Sequence, residues 1–161
     1  MQLNPDDKMD SKLAPIVLFV YNRPLHTRQT LEALSKNILA DESVLYIFAD
    51  GAKEGALEKD ITKIAEVRNI AKEGKWCKEV YLIERKENLG LANSVIQGAT
   101  EIISKHGKVI VLEDDLLTSK GLLKYMNHAL NLYEANENVM QISEHSFPAK
   151  NIPKNIEIPY L

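Results

Sequence analysis

A single cysteine, Cys77, excludes an internal disulfide, and with only four scattered histidines the chain has no thiolate or imidazole cluster for zinc. Any metal must therefore be held by oxygen. No uninterrupted apolar run exceeds that from Ile16 to Tyr21, far short of the roughly 20 residues a membrane-spanning helix needs. The polar stretch Met1 to Lys12 does not read as a signal peptide, so a cytoplasmic location is expected unless an anchored parent carries the domain. Charge of one sign is scarce too: 20 Lys and Arg face 23 Asp and Glu, a net charge of -3, and nucleic acid is not an expected partner. Glycine cradles for phosphate are also missing. Neither Gly74-Lys75-Trp76 nor Gly107-Lys108-Val109 completes a P-loop, and Tyr21-Asn22-Arg23-Pro24 has none of the glycines of a dinucleotide fingerprint.

What is present suits one folded domain, with 45% of the residues apolar and 27% charged. Residues 1–13 read as a flexible, polar N-terminal arm. From Pro15 onward, short apolar runs alternate with longer segments of helical period. The spacing predicts strands over Ile16 to Tyr21, Val44 to Ala49, Val80 to Ile83, Val109 to Leu112 and Val139 to Ile142. Helices are predicted from about Pro24 to Asn37, Leu57 to Lys72, Leu91 to Lys105 and Ser119 to Glu134. Their expected core residues are Leu25, Leu31, Leu34 and Ile38, then Ile61, Ile64, Ala65 and Ile70, then Val95, Ala99, Ile102 and Ile103. Gly74 and Gly107 stand as stops, and Trp76 and Cys77 read as packing residues.

Such alternation implies right-handed crossovers and a mainly parallel sheet with helices on both faces, in residues 14–147. The tail 148–161, with Pro148, Pro153 and Pro159, is too irregular to close a domain. It is expected to open the remainder of a larger catalytic domain.

In open parallel sheets ligands bind beyond the carboxyl ends of the strands, which selects four places: Tyr21 to Arg23, Asp50-Gly51, Glu84 to Gly90 and Glu113 to Asp115. The acidic triplet carries the most chemistry. Three successive carboxylates repel one another unless a cation or donor compensates, and Mg2+ or Mn2+ would do so while keeping positions for phosphate oxygens. If strand geometry persists, Glu113 and Asp115 share a side and Asp114 faces away. The competing reading is a solvated acidic loop before the next helix. Asp50 could accept an N–H such as that of a nucleobase, with Gly51 permitting a sharp exit, or the pair could be an ordinary turn. Arg23 could fork onto a phosphate or simply be solvated. Asn88-Leu89-Gly90 reads as a turn into the third helix, and His145 as a surface or satisfied histidine rather than a ligand.

Together, Pro15 to Pro24, Phe48-Ala49-Asp50-Gly51, Glu87 to Ala92 and Val111 to Leu116 resemble, in order and spacing, the GT-A nucleotide-sugar glycosyltransferases. The Glu-Asp-Asp form is most similar to the N-acetylglucosaminyltransferase I type and its bacterial sugar-transferase relatives, with further similarity to family 2 enzymes. The resemblance spans about Pro15 to Phe147, the donor-binding half of that family's catalytic domain. It implies a Rossmann-like GT-A sandwich and a donor that is a nucleotide-diphosphate sugar, commonly UDP-linked. Val20, Tyr21, Asn22 and Arg23 would line the nucleotide pocket, and Asp50, beside Gly51, would contact the base. Glu113 and Asp114 would approach ribose and sugar, and Asp115 would coordinate Mn2+ or Mg2+. Asn88 and Gly90 would open the helix beside the donor, with Asn93 in contact with it. The implied chemistry is inverting displacement at the anomeric carbon by the hydroxyl of a glycan, polysaccharide or lipid-linked acceptor, with the metal easing departure of the nucleoside diphosphate. The base is expected beyond Leu161, so none is nominated. The alternative is a non-catalytic α/β binding or interaction module whose acids are surface charge. A nucleotidyltransferase or receiver-like domain shares the acidic strand ends but lacks a convincing basic loop or Asp–Lys pair here.

Overall fold

The computed structural model describes residues 12–143. Most of the expected arm, the tail, Glu144 and His145 lie outside them. Strand β1 (Ile16–Val20) is buried along its whole length, as a β-branched and aromatic run in the middle of a parallel sheet should be. Pro24 occupies the first turn of α1 (Pro24–Ser35), where its missing N–H leaves no helical bond unmade. There follow β2 (Val44–Ala49), α2 (Glu58–Glu73), β3 (Glu79–Glu84), α3 (Leu91–His106), β4 (Ile110–Glu113) and α4 (Leu122–Tyr133).

The described strands form one parallel sheet in the order β3-β2-β1-β4. Its pleat divides the core in two. Ile16, Leu18 and Val20 pack with Leu45, Ile47, Ile110 and Leu112 against Leu31, Leu34, Val67, Ile70 and Leu123, so α1, α2 and α4 cover one face. Val17, Phe19 and Phe48 meet Ile102 of α3 on the other. Handedness explains this division. The chain steps from β1 to β2 to β3 in one direction, then reverses past β1 to reach β4, and a right-handed crossover in the reverse direction must place its helix on the opposite face. The reversal leaves a topological switch point between β1 and β4, where neighbouring loops diverge and open a crevice.

Residues 139–142 form no strand, contrary to the sequence expectation. The cause is the position of α4, whose Asn127 accepts the Ala14 N–H at 2.8 Å and holds the helix on the α1 face. From that face, a parallel fifth strand on the open side of β4 would require a left-handed crossover. The segment instead lines an open groove of about 860 Å³ beside β4, with Val111, Leu116, Met126 and Tyr133.

Several expected core positions turn outward: Leu25, Ile38, Ile61 and Ile103 are exposed, as is Ala65. The stripe that α2 buries is Ile64, Val67, Ile70 and Ala71. Gly107 ends α3 in the left-handed conformation, as expected of a C-terminal glycine. Gly74 has an ordinary extended backbone; a side chain there would run into the Trp76 ring. Trp76 and Cys77 are buried as predicted, and burial pushes the Cys77 thiol up to about 12, which keeps it unreactive. No described helix is long and apolar enough to cross a membrane.

Candidate functional site

The site is built where β1 and β4 end side by side, in a register that sets Phe19 against Glu113. Strand geometry stops at Glu113, and Asp114 and Asp115 already belong to a turn. The expected alternation of the three acids therefore does not hold. Glu113 shares the sheet face of Phe19 and Phe48, while Asp114 and Asp115 are drawn together by one guanidinium. Arg23 Nη2 donates to Asp114 Oδ1, and Arg23 Nη1 donates to Asp115 Oδ2 at 3.1 Å. Thr30 of α1 donates its hydroxyl to the Asp114 carbonyl at 3.0 Å and fixes the turn from beneath. Thr27 bonds the Arg23 carbonyl at 3.0 Å, tying the start of α1 to the same corner.

This ion-paired cluster is unequal. The Arg23 side chain is 45% exposed, so it keeps much of its hydration, whereas Asp114 is 3% exposed. Desolvation raises the Asp114 pKa above the ordinary carboxylate value, and Arg23 offsets only part of it. For Arg23, partial burial works against the charge, but Asp114 and Asp115 outweigh it and hold the guanidinium above its usual value. Because folded Asp114 keeps its proton to higher pH than the unfolded chain does, ionisation favours unfolding. Its contribution to stability declines as pH rises from the ordinary carboxylate range through the raised folded value, then levels off. Asp114→Asn should remove that decline. In chelator at pH 7 the variant is expected to melt no lower than wild type, with its relative advantage shrinking as the pH is lowered into the acid range. A variant melting well below wild type at pH 7 would contradict this.

Asp50, at the end of β2, is buried. Its Oδ1 accepts the N–H groups of Gly51 (3.2 Å) and Leu89 (3.1 Å), and its Oδ2 accepts those of Leu89 and Gly90 (both 3.1 Å). Three backbone donors thus occupy most of the acceptor capacity of one carboxylate. Asn88 reinforces the turn, donating to the Gly51 carbonyl at 2.9 Å and accepting the Gly90 N–H at 3.1 Å. Gly51 was expected to serve an unusual backbone exit, but its φ is not positive. What it provides is space, since a Cβ would stand 2.5 Å from the Lys86 carbonyl oxygen. Gly90 does need its glycine, with φ 74° at the entry to α3.

These elements enclose a cleft of about 230 Å³ on the α3 side of the switch point. Val20, Tyr21, Asn22 and Arg23 line it from β1 and its exit, Glu113 and Asp114 from the end of β4 and the turn after it. Asp50, Asn88 and Gly90 line the opposite wall. Three nominated residues do not line it. Gly51 packs against the 86–87 backbone, Asn93 is exposed and donates to the Leu89 carbonyl at 3.0 Å, and Asp115 is half-exposed and accepts from Arg23. Asn22 also reaches Asp60 of α2 at 3.4 Å.

Sequence reading missed the floor and one cation. Phe19 and Phe48 stack with centroids 5.5 Å apart, and Gly98 of α3 lies so close to them that a Cβ would be 2.8 Å from Phe19. Arg85 covers Phe48 at 5.2 Å and bonds Ser94 at 2.7 Å. Lys53, in the loop after β2, stands at the rim. Their signal was available: Phe19 and Phe48 are the β1 and β2 residues that alternate toward α3 just before the strand ends. Neither a protein-family model nor a curated protein matches this chain.

Among the described residues no three carboxylate, imidazole or thiolate side chains are gathered closely enough to hold an ion alone. Asp115 is the accessible donor, 45% exposed, and Oδ1 makes no hydrogen bond among the described residues. Mg2+ or Mn2+ bound through one or two carboxylates, water and substrate phosphates needs no more. The donor set therefore fits an ion that arrives with a diphosphate, and does not fit one caged by protein.

Proposed function

We propose that this chain is the donor-binding half of a GT-A-type glycosyltransferase that uses a nucleotide-diphosphate sugar, UDP-linked, with Mn2+ or Mg2+. The observation that carries the reading is the convergence of an acidic β4 end, a β1 exit bearing Arg23 and an aromatic floor on one cleft at the switch point. Phe19 and Phe48, largely covered by α3 and Arg85, give the cleft an apolar floor suited to a base. Arg23 and Lys53 offer cations to phosphates, and α3 presents its N-terminus toward the cleft with no acid in its first turn. Glu113, on the same face as the floor, is available to hydroxyls of ribose or sugar. When bound, the divalent ion would supply Lewis-acid neutralisation of the departing diphosphate. Asp50 supports the site by holding the 88–90 turn in place, a role for which its three N–H partners speak more directly than base contact. The acceptor hydroxyl would belong to a glycan, polysaccharide or lipid-linked molecule.

A second reading is favoured by one feature: Arg23 already bonds both Asp114 and Asp115, which suits a binding module without transfer chemistry. Thermal melting with UDP and Mn2+ separates the two. The donor reading expects a melting temperature raised by several degrees, a shift that Asp115→Ala abolishes while leaving the unliganded stability within about 0.5 kcal/mol of wild type. No shift with UDP and Mn2+ together would leave the module.

A further inference from the structure

Arg23 makes both of its described side-chain contacts with acids of the same turn, Asp114 and Asp115. One carboxylate is buried on a residue whose backbone carbonyl accepts from Thr30; the other is half-exposed and, among the described residues, bonded by the guanidinium. The arrangement makes Arg23 the resident cation of the acidic turn. Two carboxylates against one guanidinium leave a negative charge uncompensated, so the turn still attracts cations, but its accessible donor is engaged. We propose that Arg23 competes with the divalent ion for Asp115, so that the ion binds well only when a diphosphate in the cleft draws the guanidinium away. The proposal rests on the donor-binding reading above and adds an order to it: nucleotide and ion enter as a coupled pair.

The geometry supports such a transfer. Arg23 lines the cleft and also bonds Asp115, so one guanidinium touches both the ion's protein ligand and the space a diphosphate would fill. Its fork of donors matches phosphate oxygens as well as it matches two carboxylates. Moving from one to the other conserves its hydrogen bonds and frees Asp115 Oδ2. Asp114 is too buried to follow, and it remains as the anchor to which Arg23 returns when the cleft empties. By linkage, a diphosphate that tightens ion binding must be tightened by the ion to the same degree.

Isothermal titration of the whole chain with Mn2+ alone, UDP alone and Mn2+ in saturating UDP tests the proposal. Wild type should bind Mn2+ alone weakly and bind it strongly with UDP. Arg23→Gln should bind Mn2+ alone about tenfold tighter than wild type, bind UDP alone more weakly, and lose most of the coupling between them. Equal Mn2+ affinity in wild type and Arg23→Gln, with Asp115-dependent Mn2+ binding intact when UDP is present, would overturn the competition and leave the donor site standing. Absence of Mn2+ binding in both proteins, with and without UDP, would overturn the donor reading as well. Arg23→Lys keeps the charge but cannot fork onto both carboxylates. If Arg23→Gln does not fold by circular dichroism, Arg23→Lys gives the same readout, with a smaller tightening in the same direction expected and no tightening overturning the competition.

Discussion

Asp50→Ala is expected to destabilise the fold by about 3 kcal/mol and to remove UDP-dependent stabilisation in the same step. The carboxylate accepts from Gly51, Leu89 and Gly90, so its loss strands the Leu89 N–H and leaves Gly51 and Gly90 only their second acceptors, the Glu87 carbonyl and the Asn88 amide oxygen. One unsatisfied donor costs about 1–3 kcal/mol, and loss of the charge-assisted bonds from Gly51 and Gly90 adds to it, while the half-buried Leu89 recovers part from water. Asp50→Asn should recover only part of the loss, because its amide replaces one acceptor oxygen with a donor facing other donors. Urea denaturation of the three proteins measures this. If Asp50→Asn matched wild type in stability but altered the preference among UDP, GDP and CDP, Asp50 would be a base contact rather than the clamp of the 88–90 turn.

That clamp illustrates how far the sequence was legible. The element order could be read because each strand is a compact apolar run: β2 was predicted at its observed bounds, Val44 to Ala49, since Ser43 and Asp50 bracket six apolar residues. Strand ends follow from the same runs, and with them the places where a ligand would bind. Helix faces were less legible. Ile61, Ile64 and Ala65 satisfy one helical stripe, Ile64, Val67 and Ile70 another, and only the position of α1 and the sheet selects the second. The fifth strand failed for a reason no local pattern carries, the side of the sheet on which α4 settles. At the site, residue types were readable but partners were not. That three carboxylates need a compensating charge follows from sequence; that Arg23, some 91 positions earlier, supplies it depends on the β1–β4 pairing. Asp50 likewise spends its acceptors on backbone 39 and 40 residues away.

Phe19→Ala should be as costly, about 3–5 kcal/mol, because the ring is 4% exposed and its removal leaves a void between the sheet and α3. Part of the loss is the stacked contact with Phe48, which aromatic pairs hold beyond simple area burial by about 0.5–1.5 kcal/mol. Phe19→Leu refills most of the volume and is expected to cost less than about 1.5 kcal/mol, while still removing the aromatic ring from the cleft floor. The donor reading therefore expects Phe19→Leu to stay folded with a reduced UDP-dependent shift; an unchanged shift would exclude the ring as part of a base platform. Gly98 supplies an independent check on the packing. A Cβ there would meet Phe19 at 2.8 Å and Phe48 at 3.2 Å, so Gly98→Ala in wild type should destabilise by about 1–3 kcal/mol through displacement of α3. In the Phe19→Ala background the same methyl enters vacated space and should be neutral or stabilising, so the double mutant is more stable than the sum of the single losses predicts. Additive losses would mean that α3 does not rest on the Phe19 ring, and the cleft floor would then have to be drawn differently.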